Sequence, residues 1–366
     1  MPIVVLGLIA LMLVFIQNYM YKRLWDKKLI FNANFSSNEA FEGDTLQLEE
    51  ELINKKFLPL PWVRTILTVP SDLKLLDSDG ELIPPKGAGK SIFSVLSYTA
   101  IKKRQAFVCQ KRGVYVLRKA NISISNLLHN DEFNKDFKVK GELHVFPKLI
   151  HDAIDIDIVY KYLDSAVLSN ALINPDPFEF KGIRDYLPTD SLKAVNFKAS
   201  AVSQKLMVNI HAPATAKRMV IVLNVEKCEE EQPFELYEQA IRLTATIARR
   251  YIDEDVQIGF FTNGRDSGTA ETMKLEGGLS VSHLYKIYEC LARLSLSYKS
   301  SPINEYMDML TDTEQVYLFI SPNFSKKTLE SFEELNERGV DAHMIVPYFK
   351  GTNVPKKDKV MDWEAN

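Results

Sequence analysis

Residues 218–252 read RMVIVLNVEKCEEEQPFELYEQAIRLTATIARRYI, an unbroken apolar run followed by an acidic turn and then by apolar residues at helical spacing. A continuous aliphatic run suits a strand buried on both faces, and the stretch after Pro233 suits a helix whose first turn carries the proline. The same alternation continues to the C-terminal region. VQIGFFTN (256–263), QVYLFIS (315–321) and AHMIVPYF (342–349) read as buried strands, while VSHLYKIYECLARLSLSY (281–298) and KKTLESFEELNER (326–338) read as amphipathic helices. Gly339, just past Arg338, fits a C-terminal cap. The expectation is an open α/β (Rossmann-type) sheet over 216–350, with a flexible tail over 351–366.

In an open α/β sheet, ligands gather beyond the carboxyl ends of the strands, so the informative loop follows the first strand: Asn224-Val225-Glu226-Lys227-Cys228-Glu229-Glu230-Glu231. The order of elements resembles a von Willebrand A domain. That resemblance implies an Asp-x-Ser-x-Ser metal site in this loop. Its three ligands fall here on Asn224, Glu226 and Cys228, and the family's later aspartate falls on Ser321, so the site reads as degenerate. A hard divalent cation wants several oxygen donors, whereas cysteine is a poor partner for it. The glutamate run is accounted for by the dipole of the helix it precedes. The expectation is therefore no metal and no cofactor, with a divalent-metal-dependent adhesion or binding module as the rival reading.

Upstream of the sheet, residues 149–215 read as a linker carrying the run Gly182-Ile183-Arg184-Asp185-Tyr186-Leu187-Pro188-Thr189-Asp190-Ser191-Leu192-Lys193-Ala194-Val195-Asn196-Phe197-Lys198-Ala199-Ser200-Ala201. This run resembles the signature of bacterial domain-of-unknown-function family fifty-eight, the group associated with MoxR ATPases. The signature runs Gly-x-Arg-Glu-Tyr-x-Pro-Gly-Asp, then a basic residue, Ile, Trp and Lys-x-Ser-Ala. Arg112-Gly113-Val114-Tyr115 and Val145-Phe146-Pro147 resemble further recurrent pieces of the same family. Asp185 stands where the family has Glu, Thr189 where it has Gly, and Phe197 where it has Trp, which marks a divergent member. Membership implies a protein partner, a MoxR-type AAA+ ATPase, and a role in assembly or maturation of envelope or secreted proteins. The residues expected to form either an inter-domain latch or a partner-binding surface are Arg184, Asp185, Tyr186, Pro188, Asp190, Lys193, Phe197, Lys198 and Ser200. In the latch reading, buried Arg–Asp pairing sets the register and Tyr186 and Phe197 are apolar anchors.

Residues 29–148 carry short β-like runs: LIFNANF, TLQLEEELIN, WVRTILTV, FSVLSYTA, QAFVCQ, VYVLRKANISIS and ELHVFP. Turn residues separate them, and Leu46, Leu48 and Leu52 alternate with polar neighbours, so an antiparallel, immunoglobulin-like β-sandwich is expected. Lys86-Gly87-Ala88-Gly89-Lys90-Ser91 imitates the end of a phosphate loop. The pattern needs a glycine at the position held by Pro84, however, and the run leads into a strand, so no nucleotide is expected.

The chain opens with PIVVLGLIALMLVFIQNYM (2–20), free of charge and roughly 28 Å long as a helix, enough to span a bilayer. No basic region precedes it and no small-residue cleavage site follows it, which argues against a cleaved signal. Tyr21 then Lys22, Arg23, Lys27 and Lys28 place the following residues in the cytoplasm by the positive-inside rule. Residues 1–28 are thus expected to anchor the chain in the cell membrane by a single pass.

Composition limits the remaining functions. A net charge of -3 provides no field to hold nucleic acid, and three widely spaced cysteines form no metal clip or disulfide framework. The six histidines show no HExxH spacing and stand beside no Ser or Cys nucleophile in sequence, so no enzyme is expected.

Overall fold

The computed structural model describes residues 2–77, 79–83, 89–125, 132–151, 156–165, 175–188, 190–213, 218–227, 232–313, 315–352 and 354–365. The chain divides into two compact units, Met1–Lys148 and Leu149–Asn366.

The first unit begins with α1 (Pro2–Leu24), whose apolar side chains are largely exposed along its length. It is long and apolar enough to cross a membrane. A sandwich of two sheets follows. One sheet orders β1 (Leu29–Phe35), β3 (Thr45–Asn54), β7 (Ala100–Cys109) and β5 (Leu73–Leu75). The other orders β2 (Glu39–Phe41), β9 (Glu132–Phe146), β8 (Gly113–Ser125), β4 (Leu60–Leu67) and β6 (Lys90–Val95). All pairings are antiparallel except β2 with β9. The chain thus passes from one sheet to the other between β1 and β2. Together with the four-strand and five-strand orders, this makes an immunoglobulin-like sandwich. Alternate residues of both sheets, among them Leu48, Leu52, Leu117 and Ile122, form its core.

The helix is rooted in that core. Tyr21 and Trp25 are buried in the same apolar cluster, and the Tyr21 hydroxyl donates to Pro59 O at 2.7 Å. Lys56 Nζ, itself nearly buried, donates to Trp25 O at 2.5 Å and Lys27 O at 3.1 Å, and Lys135 pairs with Asp26 at 2.7 Å. Burial pushes the Lys56 amine down to about 8, with nearby Asp26 opposing the shift.

The second unit is an open sheet ordered β14 (Thr272–Gly278), β13 (Gln257–Asp266), β12 (Arg218–Leu223), β16 (Val316–Ile320), β17 (Ala342–Tyr348) and β18 (Val360–Glu364). The pairings from β13 to β18 are parallel and β14 is an antiparallel edge. Helix α4 (Phe234–Asp253) buries a stripe including Leu236, Ala240 and Ile247 and packs with α5 (Val281–Arg293). Helices α6 (Ile303–Met309) and α7 (Lys326–Glu337) form a separate cluster with Val222, Phe319 and Met344. The expected helix over 281–298 stops at Arg293, because the chain turns extended there and β15 (Leu294–Ser295) pairs with the end of β13.

Two expectations are corrected. The tail over 351–366 is not flexible throughout: Val360–Glu364 is a parallel edge strand, held because Trp363 buries its ring. The described part of 149–215 is likewise no linker but belongs to the second unit. Residues 156–165 are helical, which we label α2, and Ile156, Val159 and Leu163 supply a buried stripe. On α2, Tyr162 donates to Lys359 O at 2.7 Å and its hydroxyl faces His343 Nδ1 at 3.0 Å, while the Tyr251 hydroxyl donates to Asp164 at 2.9 Å.

Candidate functional site

Three neighbouring strands reach the carboxyl edge of the sheet in register. Leu223 of β12 sits opposite Thr262 of β13 and Ile320 of β16, so the next residue on each chain, Asn224, Asn263 and Ser321, stands at one level. All three are buried, Asn224 completely. Asn224 Nδ2 donates to Ser321 Oγ at 2.9 Å, and Asn224 Oδ1 accepts from Asn263 Nδ2 at 2.8 Å and from Glu226 N at 2.9 Å. Asn263 also donates to Ser301 O at 2.8 Å and accepts from Val225 N at 2.9 Å. The Ser321 hydroxyl in turn donates to Asn323 O at 2.6 Å. Asn323 Oδ1 then receives Ser325 N at 2.9 Å, and Ser325 caps α7.

This knot limits what Asn224, Asn263 and Ser321 can bind. A carboxamide oxygen has two lone pairs, and both lone pairs of Asn224 Oδ1 already have donors. Glu226 accepts Ile303 N on Oε2 at 3.1 Å. Among the described residues no group of three or more His, Cys, Asp or Glu side chains converges. Neutral amides and hydroxyls saturated by one another do not make the oxygen cage a divalent ion needs. Asn224, Glu226 and Ser321 therefore gather as the strand alignment implies, but they turn inward; Cys228 lies outside the described residues. Asn263 and Asn323 completed the knot without being anticipated, and their only signal was an asparagine just past or within the end of an apolar run.

The 182–201 segment folds as a small module. β10 (Pro175–Asp185) pairs antiparallel with β11 (Met207–Pro213), and the short η1 (Leu192–Ala194) and α3 (Phe197–Ser203) lie between them. Arg184 grips Asp190 through two hydrogen bonds of 2.6 Å, and Leu187 N adds a third to the same carboxylate. The Arg184 guanidinium, helped by that amide, holds the Asp190 carboxyl down at about 2. Asn196 caps α3, and Ser200 both donates to Asn196 O at 2.7 Å and accepts Met207 N at 2.8 Å.

Arg184, Asp190 and Ser200 thus bond within the module, the Arg184–Asp190 pair lying near its surface. Asp185, Pro188, Lys193 and Lys198 are exposed, and Tyr186 is half-buried with its amide bonded to Leu206 O. The expectation of a buried Arg–Asp pair with Phe197 as an apolar anchor is corrected: Arg184 is part-exposed, and Phe197 is 78% exposed. Asn196 and Ser200 occupy the side of α3 tied to β11, which leaves Phe197 and Val202 on the outer side. Leu187 and Leu192 are exposed as well. Thr189 lies outside the described residues.

A second buried polar group holds the amino end of β17. Asp341 accepts from Lys359 Nζ at 2.7 Å and faces His343 Nε2 at 3.3 Å, while His343 Nδ1 faces Tyr162. Burial pushes the Asp341 carboxyl up, but His343 and Lys359 more than offset it and hold it below the usual carboxylate range. Burial also raises the Tyr162 phenol, whose proton is committed to Lys359 O. The group resembles a catalytic relay in composition only. Each member is spent joining α2, β17 and the approach to β18.

No family model matches the sequence, and no curated protein matches it. Solved structures similar in part include the ASH/PapD-like domain 7 of human CEP192, at 16% identity over 32% of this chain and 84% of that one, with a TM-score of 0.21. A non-cellulosomal cohesin from Archaeoglobus fulgidus matches at 16% identity over 31% of this chain and 90% of that one, with a TM-score of 0.21. A type II cohesin module of the ScaA scaffoldin of Acetivibrio cellulolyticus matches at 9% identity over 32% and 97%, with a TM-score of 0.23.

Proposed function

We propose that this chain is a membrane-anchored, non-enzymatic interaction scaffold and a divergent member of domain-of-unknown-function family fifty-eight. In this reading α1 spans the cell membrane, Lys22, Arg23, Lys27 and Lys28 keep both units in the cytoplasm, and the α/β unit is a von Willebrand A-like domain without its ion. The sheet order with its antiparallel edge β14 supports that assignment. So does the position of Asn224 and Ser321 at the edge where such a domain would carry ligands.

One observation carries the functional reading: the module from β10 to β11 exposes Phe197, Val202, Leu192 and Leu187 while the Arg184–Asp190 pair fixes the turn after β10. Exposed apolar side chains on a pre-shaped module are the composition of a binding surface. The partner, by the signature in this module, is a MoxR-type AAA+ ATPase.

The test uses the full chain in lipid nanodiscs and a purified MoxR-type ATPase. Phe197→Ser with Val202→Ser removes exposed side chains only, so the unfolding curve should be unchanged while binding is lost. Arg184→Ala with Asp190→Ala should weaken binding by loosening the module. Binding unaffected by both pairs, with the fold intact, would remove this segment from the interface.

A further inference from the structure

The sandwich has two ends, and α1 leaves from one of them. The start of β1, the β3–β4 turn (55–59) and the β6–β7 turn (96–99) share that end, because Leu29 pairs with Asn54, Leu60 with Val95 and Ile53 with Ala100. Backbone bonds tie them together: Lys55 N to Lys28 O at 3.0 Å, and Tyr98 N to Lys56 O at 3.2 Å. The depth of this end relative to the helix is fixed as well. Tyr21 directly follows the uncharged stretch and bonds to Pro59 O, so the 55–59 turn lies level with the place where α1 passes from apolar to basic residues.

These two turns carry the wrong side chains for a face in water. Phe57 is 74% exposed, Leu96 65% and Tyr98 71%, and exposed Lys27, Lys28 and Lys55 surround them. Tyr98 also holds a φ of 56°, the left-handed region that a bulky residue occupies at a cost and a glycine occupies freely. A strained, exposed tyrosine at a turn tip points to a use for its ring. Aromatic and aliphatic tips ringed by lysines match the bilayer interface, where rings enter the headgroup layer and ammonium groups meet anionic lipid.

We propose that this end of the sandwich is a bilayer-docking face: Phe57, Leu96 and Tyr98 enter the interfacial layer around α1, with Lys27, Lys28 and Lys55 on the headgroups. The occupant is the lipid surface that α1 itself crosses, so the inference rests on α1 being embedded. Its consequence is that the first unit stands on the membrane at a fixed depth and tilt and does not swing on a tether. The root contacts of Tyr21, Trp25 and Lys56 supply the stiffness this requires.

The test reconstitutes the full chain, its three cysteines replaced by alanine, into phosphatidylcholine vesicles with or without phosphatidylglycerol. A fluorophore is placed at Phe57→Cys, Tyr98→Cys or, at the opposite end, Lys111→Cys. Brominated lipid should quench the labels at 57 and 98 and leave the label at 111 unchanged, and phosphatidylglycerol should strengthen the quenching. Tyr98→Gly should leave the unfolding curve unchanged or raised, since it relieves the left-handed strain, yet reduce quenching at 57. If labels at 57 and 98 stay as open to aqueous iodide as the label at 111, in chains that resist a carbonate wash, the docking face is wrong while the anchor stands. Labels shielded from iodide but untouched by lipid bromine would also overturn it, in favour of a protein occupant. Release of the chain by carbonate would overturn the anchor itself.

Discussion

Asn224 and Ser321, 97 residues apart in the chain, meet through a 2.9 Å hydrogen bond at the carboxyl ends of adjacent parallel strands. At the edge where an open α/β sheet gathers ligands, the two side chains bind each other. Removing one partner tests the arrangement. Asn224→Ala would leave Glu226 N and one Asn263 donor without acceptors, and Ser321 Oγ without its donor, in a closed site. A loss of about 1–3 kcal/mol per stranded polar group is expected from denaturant unfolding. A neutral outcome would mean that the loops, and not the knot, hold the edge.

Lys56 gives the first unit a pH signature. Its amine, at about 8 when folded against an ordinary 10.5, binds fewer protons than in the unfolded chain between those values, so stability from this group rises with pH across that window. Cys109 and Cys290, pushed up by burial to about 12 and about 11, act in the opposite sense above their ordinary range. Comparison with Lys56→Gln isolates the lysine. The parent should gain about 1 kcal/mol on the variant between about pH 7 and about pH 9, read from urea midpoints in detergent. Parallel curves for the two proteins would contradict the shift.

Glu50 lies within the sandwich on the buried face of β3, beside Leu48 and Leu52. Its Oε2 accepts a 3.3 Å bond from Thr65, while Oε1 has no partner. Burial raises its carboxyl, with Ser91, Lys103 and Thr65 opposing. A raised folded value means stability present in acid and lost as pH rises through it. Glu50→Gln should therefore stabilise the chain at neutral pH, with the gain vanishing on acidification. Destabilisation at neutral pH would show that the charge is held by more than these contacts.

Asp190 works at the surface. Its depressed carboxyl, at about 2, contributes stability above the ordinary carboxylate value and loses it as pH falls towards about 2. Asp190→Asn should therefore speed amide hydrogen exchange at Leu187 and along the end of β10, with little change in global unfolding. Unchanged exchange would mean that the Arg184 pair is incidental to the module's shape.

Much of the fold was legible because burial writes itself as periodicity. TLQLEEELIN coincides with β3, and LIFNANF with β1. The buried strands of the α/β sheet stand out as apolar runs. The alternation concealed Glu50, whose place on the core face is set by parity and not by hydrophobicity. β18 was hidden because one ring, Trp363, secures an otherwise polar strand. The knot was half legible: strand alignment located Asn224, Glu226 and Ser321, while Asn263 joins only through the sheet register, which no local pattern encodes. Phe197 was misplaced because spacing cannot tell which side of a seven-residue helix faces inward.

At the carboxyl edge of the α/β sheet, Asn224, Asn263 and Ser321 are satisfied by one another's hydrogen bonds. Calorimetric titration of manganese into the full-length protein, followed by a crystal grown with manganese, tests this most directly. The account predicts no heat of binding and an intact Asn224–Ser321 bond. Heat of binding with an octahedral ion held by Asn224 and Glu226 would contradict it.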